Sequence, residues 1–545
     1  MTPGKELLFV ALGGSGEIGM NVNCYGTRGQ WVMVDCGITF ADPGYPGVDV
    51  ILPDLRFIEE QLDGLTGIVL THGHEDHIGA IPYLALDLGV PIYASPFTAG
   101  LVRCKLEEEG IADEVELNVV DPGTDFEVGP FGMRFVPVAH SIPEGNAVLI
   151  TSEYGTVLHT GDWKLDDAPV LGDVATADTL KAIGDDGVLA LMCDSTNVYN
   201  AEASGPEESV RAGLAEVVAE ARGRVMVTTF ASNAARLKTL ADVAQDTGRT
   251  LCVAGRSLNR ILRVAQQTGY LKDFPRTVDF DTAMDLPRED VLIIATGGQG
   301  EPRAALARVA EGTHPIALEA GDRVIFSSKQ IPGNEVAIGR IQNQLAARGV
   351  EMITERQAHI HVSGHPGRPE LKAMYDWIRP DILIPVHGEM RHLMEHARFG
   401  LANGIPQALV QTDGDIVRLA PGRAEKVAHA FVGRLVLDGD VILPADGGTI
   451  NERRKLSING QISVAVALDA GGRLAGDPQF RMAGVPVEED RDEFLNETAD
   501  AVRRALEKRS GDLEATRESL RLAVRRTARR WTGKKPVVDV LIVEV

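Results

Sequence analysis

The sequence has few cysteines, no long apolar run and a shortage of positive charge. Its five cysteines are widely spaced and form no CxxC pair, which is typical of reduced thiols in the cytosol. No run of about eighteen apolar residues occurs, so we expect no membrane-spanning helix. The first residues lack the charged start and the small-residue cleavage site of a signal peptide. These absences predict a cytoplasmic location and no membrane partner.

The net charge sets a condition on the substrate. Asp and Glu number 78 against 54 Lys and Arg, which gives −24 at pH 7. A chain of this charge repels nucleic acid, so a polyanionic substrate would have to be held by local sites or by bound cations. Residues 503–535 are an exception, because 12 basic residues stand there against 4 acidic ones. That stretch is either a solvated helix face or a surface for RNA or another subunit.

The length and the hydrophobic pattern predict several domains. A chain of 545 residues has room for roughly three to four domains of ordinary size. Short Val-, Ile- and Leu-rich runs in the first 195 residues predict strands. Between about 200 and 360, strands alternate with amphipathic helices, which predicts a parallel sheet. Strands near 458–468, a long helical pattern and a terminal strand at 537–545 predict a small mixed C-terminal piece.

The strongest chemical signal follows the apolar run at residues 67–70. Residues 71–77 read THGHEDH, with three histidines and an aspartate close together. In an extended turn that leads into a helix, His72 and His74 can point the same way. Asp76 and His77 then lie in the first turn of the helix, where their side chains can face the same site. Three further candidates end apolar runs elsewhere in the chain: His140, Asp162 and His387. These seven ligands suffice for two metal ions if one carboxylate bridges them.

This pattern resembles the metallo-β-lactamase superfamily, whose HxHxDH motif is followed by a lone His, a bridging Asp and a final His. The resemblance implies one metal ion held by His72, His74 and His140. A second ion would be held by Asp76, His77 and His387, and Asp162 would bridge the two. Asp76 and Asp35 are assigned to the catalytic set, with Asp35 supporting the ligands from behind. The ligand set suits zinc and manganese alike, so we expect two divalent ions, Zn or Mn, per subunit.

An interval of 225 residues separates Asp162 from His387 and points to an inserted domain. Such an insertion resembles the β-CASP nucleases, in which the extra domain clamps over the metal site. Asp194 in CDSTN, His365 in HVSGHP and His387 in PVHGE match the β-CASP signatures. With GGSGEIG at 13–19 and IPGNE at 331–335, they resemble the ribonuclease J family of bacteria over nearly the whole chain. Two departures, Ala235 where His is expected and Gly298 where Ser is common, leave the metal ligands untouched and concern how the inserted domain holds RNA.

The resemblance implies an α/β fold, in which a metallo-β-lactamase αββα sandwich is interrupted by an inserted α/β β-CASP domain and followed by a small α+β C-terminal domain. We expect the first part of the metallo-β-lactamase domain at residues 1–199, the β-CASP domain at 200–360 and the second metallo-β-lactamase part at 361–443. A linker at 444–456 and the C-terminal domain at 457–545 complete the chain.

Further residues are expected to hold or protonate the substrate. Ser363, Gly364 and His365 lie in a Gly-flanked loop that could hold a phosphate with hydroxyl, imidazole and backbone N–H groups. His365 and Asp194 join the catalytic set, with His365 stabilising the phosphate or protonating the departing oxygen. The other candidates for substrate contacts are His361, Ser232, Asn233, Ser327 and Ser328.

A phosphodiester is the expected substrate, because two cations about 3.5–4 Å apart can share a hydroxide and neutralise charge on the transition state. In-line attack would leave 5′-phosphate and 3′-hydroxyl ends. The resemblance implies 5′-to-3′ exonuclease and endonuclease activity on single-stranded RNA, in rRNA processing and mRNA decay. It also implies a homodimer or homotetramer and association with other proteins of RNA degradation.

Three other functions stay open. A β-CASP nuclease acting on DNA, or on messenger 3′ ends, would share the seven ligands, and no residue identified so far senses the 2′-hydroxyl. A small-molecule hydrolase would need neither the inserted domain nor the C-terminal one. A non-catalytic RNA-binding scaffold usually lacks metal ligands, and none is missing here.

Overall fold

The computed structural model describes residues 2–331, 333–507 and 512–545. Pro332 of the IPGNE motif and residues 508–511 of the basic stretch lie outside the described residues. The chain divides into two compact units. Unit 1 comprises Met1–Thr39 and Leu52–Gly433, and unit 2 comprises Phe40–Ile51 and Arg434–Val545. Among the described residues, no helix combines the length and the apolar character needed to cross a membrane.

Up to residue 199 the chain forms mainly strands, joined by short helices. The strands are β1 (Leu7–Gly13), β2 (Ser15–Gly16), β3 (Val22–Thr27), β4 (Gln30–Val34), β5 (Thr39–Phe40), β6 (Val50–Pro53), β7 (Leu65–Leu70), β8 (Ile92–Ala94), β9 (Leu117–Val119), β10 (Asp125–Val128), β11 (Phe131–Val138), β12 (Gly145–Ser152), β13 (Gly155–His159) and β14 (Ala190–Asp194). The helices are α1 (Arg56–Glu59), α2 (Glu75–Ile78), α3 (Ile81–Leu88), α4 (Pro96–Glu109) and α5 (Ala177–Asp185).

From residue 200 to residue 433, strands and longer helices alternate. The strands are β15 (Val225–Thr228), β16 (Thr250–Ala254), β17 (Val291–Ala295), β18 (Arg323–Phe326), β19 (Glu351–Ile353), β20 (Ile382–Val386), β21 (Gly388–Glu389), β22 (Gln407–Ala408), β23 (Asp415–Ala420) and β24 (Glu425–His429). The helices are α6 (Val210–Ala219), α7 (Ala234–Asp246), α8 (Arg256–Gln267), α9 (Phe280–Asp285), α10 (Ala305–Glu311), α11 (Glu335–Ala346), α12 (Arg368–Ile378) and α13 (Met390–Ala402).

The last part of the chain is a mixture of both types. Its strands are β25 (Arg434–Asp438), β26 (Val441–Pro444), β27 (Gln461–Leu468), β28 (Gln479–Ala483) and β29 (Val537–Glu544). Its helices are α14 (Gly448–Asn459), α15 (Arg491–Glu507) and α16 (Leu513–Thr532).

Two large sheets of unit 1 form a sandwich. One sheet has the order β24-β23-β1-β3-β4-β7-β8-β9 and the other β10-β11-β12-β13-β14-β20-β22. Phe9 of the first sheet and Phe135 and Ile384 of the second belong to one buried apolar cluster, as expected for sheets packed face to face. Helices α5 and α12 cover the outer face of the second sheet through Leu180 and Leu371, while α4 contacts β8 and β9 of the first. This arrangement confirms the predicted αββα sandwich.

A third sheet carries the insertion. Its strands pair in parallel in the order β16-β17-β15-β18-β19. Parallel strands are covered by helices on both faces and are therefore apolar throughout, as in β17, where all residues of the sequence VLIIA are buried. Met226, Ile293 and Val324 contribute to one buried cluster with residues of the surrounding helices. The insertion is thus an α/β domain with a parallel sheet, as predicted.

Unit 2 contains a four-stranded sheet, β26-β25-β6-β5, and a three-stranded sheet, β28-β27-β29. Strand β29 pairs in parallel with β27. Phe494 of α15 and Leu520 of α16 are buried with Ile462 of β27 in one cluster. This α+β arrangement confirms the predicted class of the C-terminal domain.

Two local features of unit 2 differ from the sequence expectations. Helix α14 occupies most of the segment predicted as a linker, because Pro444, Asp446 and the following glycines precede or begin the helix and are residues that favour helix starts. The expected strand at 458–468 accordingly starts only at Gln461. The single long helical pattern is divided between α15 and α16, since the Asp512 side chain caps α16 by accepting hydrogen bonds from the backbone N–H groups of Glu514 and Ala515.

Candidate metal centre

The predicted ligands all lie just beyond the ends of strands of the sandwich. Residues at these positions are held by two rigid sheets, which is the support that a metal centre requires. His72, His74, Asp76 and His77 follow β7, His140 follows β11, Asp162 follows β13 and His387 follows β20. Their side-chain N and O atoms form two groups that share Asp162.

The first group contains three ring nitrogens that face one another. His74 Nδ1 lies 3.1 Å from His72 Nε2 and 3.1 Å from His140 Nε2. His140 Nδ1 donates a hydrogen bond of 2.6 Å to the Gly364 carbonyl, so a neutral His140 ring carries its lone pair on Nε2. A proton on His74 Nδ1 could be donated to only one of the two neighbouring ring nitrogens. A cation would bind all three nitrogens. Asp162 Oδ2 completes the group, 3.8 Å from His72 Nε2 and 3.6 Å from His140 Nε2.

The second group contains two histidines and two carboxylates. His77 Nε2 lies 3.7 Å from Asp76 Oδ2 and 3.4 Å from Asp162 Oδ1. His387 lies 3.3 Å from Asp76 Oδ2 through Nε2 and 2.7 Å from Asp162 Oδ1 through Nδ1. Its backbone has a φ of 51°, a strained conformation for a residue other than glycine. Asp162 therefore presents one oxygen to each group, as a bridging ligand would.

Several buried polar atoms of the cluster are left without a hydrogen bond. Both ring nitrogens of His387, Nε2 of His74 and Oδ1 of Asp162 make none within the described part of the chain. The 2.7 Å approach of His387 to Asp162 therefore lacks hydrogen-bond geometry. Buried polar atoms are almost always paired. The two groups fit two divalent cations, which would satisfy Asp162 Oδ1 and one ring nitrogen of His387.

The pKa values distinguish the two groups. Burial lowers the pKa of His72 and His140 well below the usual range, and lowers the pKa of His74 to about 4. These rings are neutral near pH 7 and ready to bind a cation. Burial has the same tendency at His77 and His387, but the surrounding carboxylates, Asp162 foremost, together outweigh it and raise the pKa of both. The charge of Asp162 is thus balanced by the second group before any cation binds.

Asp35 supports His77 from behind. Its Oδ2 accepts a hydrogen bond of 2.7 Å from His77 Nδ1, which leaves His77 Nε2 to face Asp76 and Asp162. The carboxylate is fully buried and also accepts a hydrogen bond of 2.8 Å from the Thr71 backbone N–H. Asp35 lies where the sequence analysis expected a supporting carboxylate.

His365 and Asp194 form a pair beside the second group. His365 Nδ1 donates a hydrogen bond of 2.7 Å to Asp194 Oδ2, and Asp194 Oδ1 accepts one of 2.8 Å from the Thr196 N–H. Burial tends to lower the pKa of His365, but Asp194 and Asp162 outweigh it and raise that pKa. The side chain is 24% exposed, so it is accessible to a substrate. The structure thus joins two of the four residues expected to form the catalytic set.

The loop that carries His365 is closely packed on the first group. An added Cβ at Gly364 would lie 2.9 Å from His140 Cε1, so only glycine fits there without a shift. The Ser363 hydroxyl accepts hydrogen bonds from Asn197 Nδ2 at 2.7 Å and from the His365 N–H at 3.1 Å. Ser363 and Gly364, both predicted to bind substrate, thus also order the loop and the His140 ring.

The remaining predicted substrate contacts lie in or beside the insertion. Burial lowers the pKa of His361 to about 3, assisted by Arg236, so this ring is neutral. Asn233 caps α7 by accepting from the Arg236 N–H at 2.8 Å. Ser327 accepts a hydrogen bond from the Arg236 guanidinium and donates one of 2.7 Å to the Ile360 carbonyl. Ser232 is half-buried, and Ser328 is buried with its hydroxyl 3.5 Å from the Gly298 carbonyl. None of these five belongs to the groups of metal-ligating atoms among the described residues.

Sequence reasoning missed three groups that order the ligands. The Gly364 carbonyl holds His140, and the Thr71 hydroxyl lies 3.0 Å from His72 Nδ1. Asn21 Nδ2 lies 3.1 Å from His77 Nε2 and donates to the Asp76 carbonyl at 3.2 Å. Thr71 could have been suspected because it adjoins the histidine motif. Nothing in the spacing of the sequence links the other two to their ligands.

Comparison with known families divides the chain into four matching regions. Residues 19–195 match the metallo-beta-lactamase superfamily, and residues 222–345 match the beta-CASP domain of ribonuclease J. Residues 349–406 match a Zn-dependent metallo-hydrolase RNA specificity domain. Residues 448–545 match the ribonuclease J C-terminal domain.

Curated relatives match over the full length. The chain is 45% identical to Ribonuclease J of Sinorhizobium meliloti, with 100% of this chain and 98% of that protein covered. It is 38% identical to Ribonuclease J of Mycolicibacterium smegmatis, again over 100% of this chain and 98% of that protein. It is 34% identical to Ribonuclease J of Thermus thermophilus, over 99% of this chain and 96% of that protein.

A solved structure supports the fold alone. The crystal structure of a protein of unknown function from Enterococcus faecalis matches with a TM-score of 0.51 at 17% identity. The match covers 79% of this chain and 100% of that one.

Proposed function

The chain belongs to the ribonuclease J family and is a metal-dependent ribonuclease, and from this premise we propose that it shortens single-stranded RNA from the 5′ end and also cuts it internally. The observation that carries the proposal is the pair of ligand groups that share Asp162, with His365 and Asp194 beside them. This arrangement suits a phosphodiester, whose charge and leaving group both need stabilisation.

We assign His72, His74 and His140 to one cation, Asp76, His77 and His387 to the other, and Asp162 to both. Divalent cations held there supply a water nucleophile that ionises near neutral pH and neutralise charge on the phosphodiester. The protein residues set where this happens. Asp35 and the Gly364 carbonyl fix the rings of His77 and His140, so that their lone pairs point inward.

His365 is the proton donor in this proposal. Its Nδ1–H is held by Asp194, which leaves Nε2 to interact with the substrate. Asp194 and Asp162 raise the pKa of His365, which favours the protonated ring, and a protonated ring can donate from Nε2. That proton would go to the departing 3′-oxygen as its bond to phosphorus breaks, which leaves a 3′-hydroxyl on one product and a 5′-phosphate on the other.

The wider role follows from the family. We propose that the protein works in the cytoplasm in rRNA processing and mRNA decay, as a homodimer or homotetramer and together with other proteins of RNA degradation. Ser363 and Gly364 would position the phosphate beside the cations. Ser232, Asn233, His361, Ser327 and Ser328 would contact the RNA farther along the insertion. Zn and Mn both suit the ligand set.

Product analysis tests the activity. A single-stranded RNA with a 5′-monophosphate and the DNA of the same sequence are incubated with Mn and, separately, with Zn, and products are followed over time. We expect mononucleotides to accumulate from the RNA alone, together with shorter internal fragments. Cleavage of the DNA as well would favour the DNA-nuclease alternative. No cleavage of either would favour a binding scaffold.

Substitution of a ligand tests the site. Asp76→Ala removes a carboxylate that faces both His77 and His387, so cleavage should fall by about 1000-fold or more while the fold is kept. Glu75→Gln is the matched control, because the neighbouring Glu75 side chain is exposed and pairs with Lys105 instead. Circular dichroism and cleavage rates are compared for both. Normal turnover by Asp76→Ala would refute the ligand assignment.

A further inference from the structure

A tyrosine of the insertion reaches into the metallo-β-lactamase sandwich. Tyr270 follows α8 and donates a hydrogen bond of 2.9 Å to Glu144 Oε1. Burial and the adjoining Glu144 raise the pKa of Tyr270, so the hydroxyl keeps its proton. The bond joins the region that matches the β-CASP domain to the region that matches the metallo-β-lactamase superfamily.

Glu144 ends the loop that carries His140. Its Oε2 accepts a hydrogen bond of 2.7 Å from the Phe97 N–H at the start of α4, and its backbone carbonyl accepts one of 2.7 Å from Asn146 Nδ2. The residue has a φ of 56°, a conformation that persists only where the surroundings enforce it. Glu144 lies four residues after His140, and its contacts therefore fix this end of the loop.

The rest of this loop is tied to the metal-ligand loops. The N–H of Lys164, two residues after Asp162, donates a hydrogen bond of 2.8 Å to the carbonyl of Ala139, which adjoins His140. The Asn146 N–H donates to the Thr71 carbonyl at 3.2 Å, next to His72. Both ends of the loop are thus connected to other ligands. Tyr270 adds a contact from the insertion.

The tyrosine is itself held in place. Its ring meets the Phe97 ring edge-on with centroids 5.9 Å apart. The Leu271 N–H donates to the Ala265 carbonyl of α8 at 3.0 Å. Tyr270 and Glu144 also line a cavity of about 300 Å³ that extends to His140. A hydroxyl placed by a helix and a ring contact loses little entropy in bonding Glu144, so the bond can restrict the loop.

We propose that Tyr270 is a positioning residue for the His72–His74–His140 cation site: by holding Glu144, it sets the position of the His140 ring, and it thereby makes the affinity of that site depend on the insertion. The inference rests on the proposed assignment of His140 as a ligand. Groups that orient a metal ligand without touching the metal raise its affinity, and Tyr270 acts one step farther away, through Glu144.

Cation titration of Tyr270→Phe tests the proposal. This variant keeps the ring and its contact with Phe97 but removes the donor. Apo-protein is titrated with Zn in competition with a chromophoric chelator. We expect one of the two sites to bind about 3- to 10-fold more weakly, and the other to be unchanged. At limiting Zn, kcat on the 5′-monophosphate RNA should fall by the same factor, with KM for RNA unchanged, and excess Zn should restore it.

Two further variants isolate the bond. Arg260→Gln removes an ion pair of 2.7 Å with Glu108, which also joins α8 to α4 but does not touch the His140 loop. It should leave both Zn affinities unchanged. Glu144→Ala should weaken the same site as Tyr270→Phe, and the double variant should be no weaker than Glu144→Ala alone.

The outcomes separate this proposal from the ligand assignment. Unchanged Zn affinities in Tyr270→Phe would overturn it, and so would an equal loss in Arg260→Gln, which would reflect general contact between α4 and α8. His140→Ala should bind only one Zn ion. If His140→Ala binds two Zn ions as the wild type does, the ligand assignment itself fails, whatever Tyr270→Phe shows.

Discussion

Asp162 is shared by the two ligand groups but affects their charge differently. One of its oxygens faces His72 and His140, and the other faces His77 and His387. Because Asp162 and the neighbouring carboxylates raise the pKa of His77 and His387, a cation that binds these two rings would have to displace a proton from each. Cation binding at the second group therefore competes with protons, whereas the first group is already neutral. The two sites are made of similar residues and differ in how their affinity depends on pH.

We expect the deprotonation of His365 to limit the cleavage rate at high pH, and this fall in rate is called the alkaline limit below. A donor must be protonated, so the cleavage rate should fall as pH rises through the raised pKa of His365. Asp194→Asn removes the larger of the two carboxylate charges that raise this pKa. The fall in rate should therefore move to lower pH by about 1 unit or more. Cleavage rates measured against pH at saturating cation and RNA would show the shift.

A buried histidine elsewhere provides the control for this pH profile. His392 caps α13, where its Nδ1 accepts a hydrogen bond of 3.2 Å from the Glu389 N–H. His392→Gln should leave the alkaline limit in place. His365→Gln should lower the rate by about 100-fold or more and remove the limit. An Asp194→Asn profile identical to that of the wild type would show that another group sets the alkaline limit.

At the scale of single residues, the sequence predicts the side chains that the structure brings together as candidate ligands, but not the groups that hold them in place. The seven ligands end apolar runs or share one motif, and both signals are local. The contact between Gly364 and His140 joins residues 224 positions apart. That between Tyr270 and Glu144 joins residues 126 positions apart. Such pairs form only when strands and helices have packed, so one sequence does not reveal them.

Close helix packing outside the site also depends on single glycines. Gly184 lies in α5, where an added Cβ would be 2.1 Å from the Trp377 carbonyl oxygen of α12. Gly184→Ala should therefore destabilise unit 1 by about 2–3 kcal/mol, because backbone would have to move. The midpoint of urea unfolding, followed by circular dichroism, measures this change.

Gly339 is the matched control for that substitution. It also lies inside a helix, α11, but an added Cβ would meet nothing within 4 Å among the described residues. Gly339→Ala should stabilise the protein by about 0.5–1 kcal/mol, since alanine favours the helix. Equal effects at the two positions would mean that α5 and α12 do not pack as closely as the structure has them.

Elements were predictable where hydrophobic pattern and flanking residues agree. The run at 291–295 and strand β17 coincide, because parallel strands buried on both faces are short and wholly apolar. Helix α14 was missed since Pro444, Asp446 and the adjoining glycines suit a linker and a helix start equally well. Local composition does not decide between these two structures. Packing against the rest of unit 2 does.

At the scale of the whole molecule, residues far apart in sequence fold together. Phe40–Ile51 belongs to the same compact unit as Arg434–Val545, and β6 lies beside β25 in one sheet. No motif or periodicity links these segments, so residues 40–51 were expected in the first domain. The order of helices and strands along the chain predicted the class of each domain. That residues 40–51 belong to unit 2, however, depends on strand pairing between distant parts of the sequence.

Removal of the cations should affect the two units differently. All seven candidate ligands lie in unit 1. A ligand that binds only the folded state adds about 2.7 kcal/mol of stability per site when its concentration is 100 times the Kd. Chelation should therefore lower the Tm of the unit 1 transition by about 5 °C or more. The unit 2 transition should not move. Differential scanning calorimetry with and without chelator measures both.

The bridging carboxylate provides the control for this experiment. Asp162→Asn takes away the charge that both groups share, so the variant should bind cations weakly and its unit 1 transition should no longer respond to the chelator. A chelator effect of equal size in Asp162→Asn and wild type would place the stabilising cations outside this cluster. A shift confined to unit 2 would contradict the assignment in the same way, because unit 2 contains none of the seven residues.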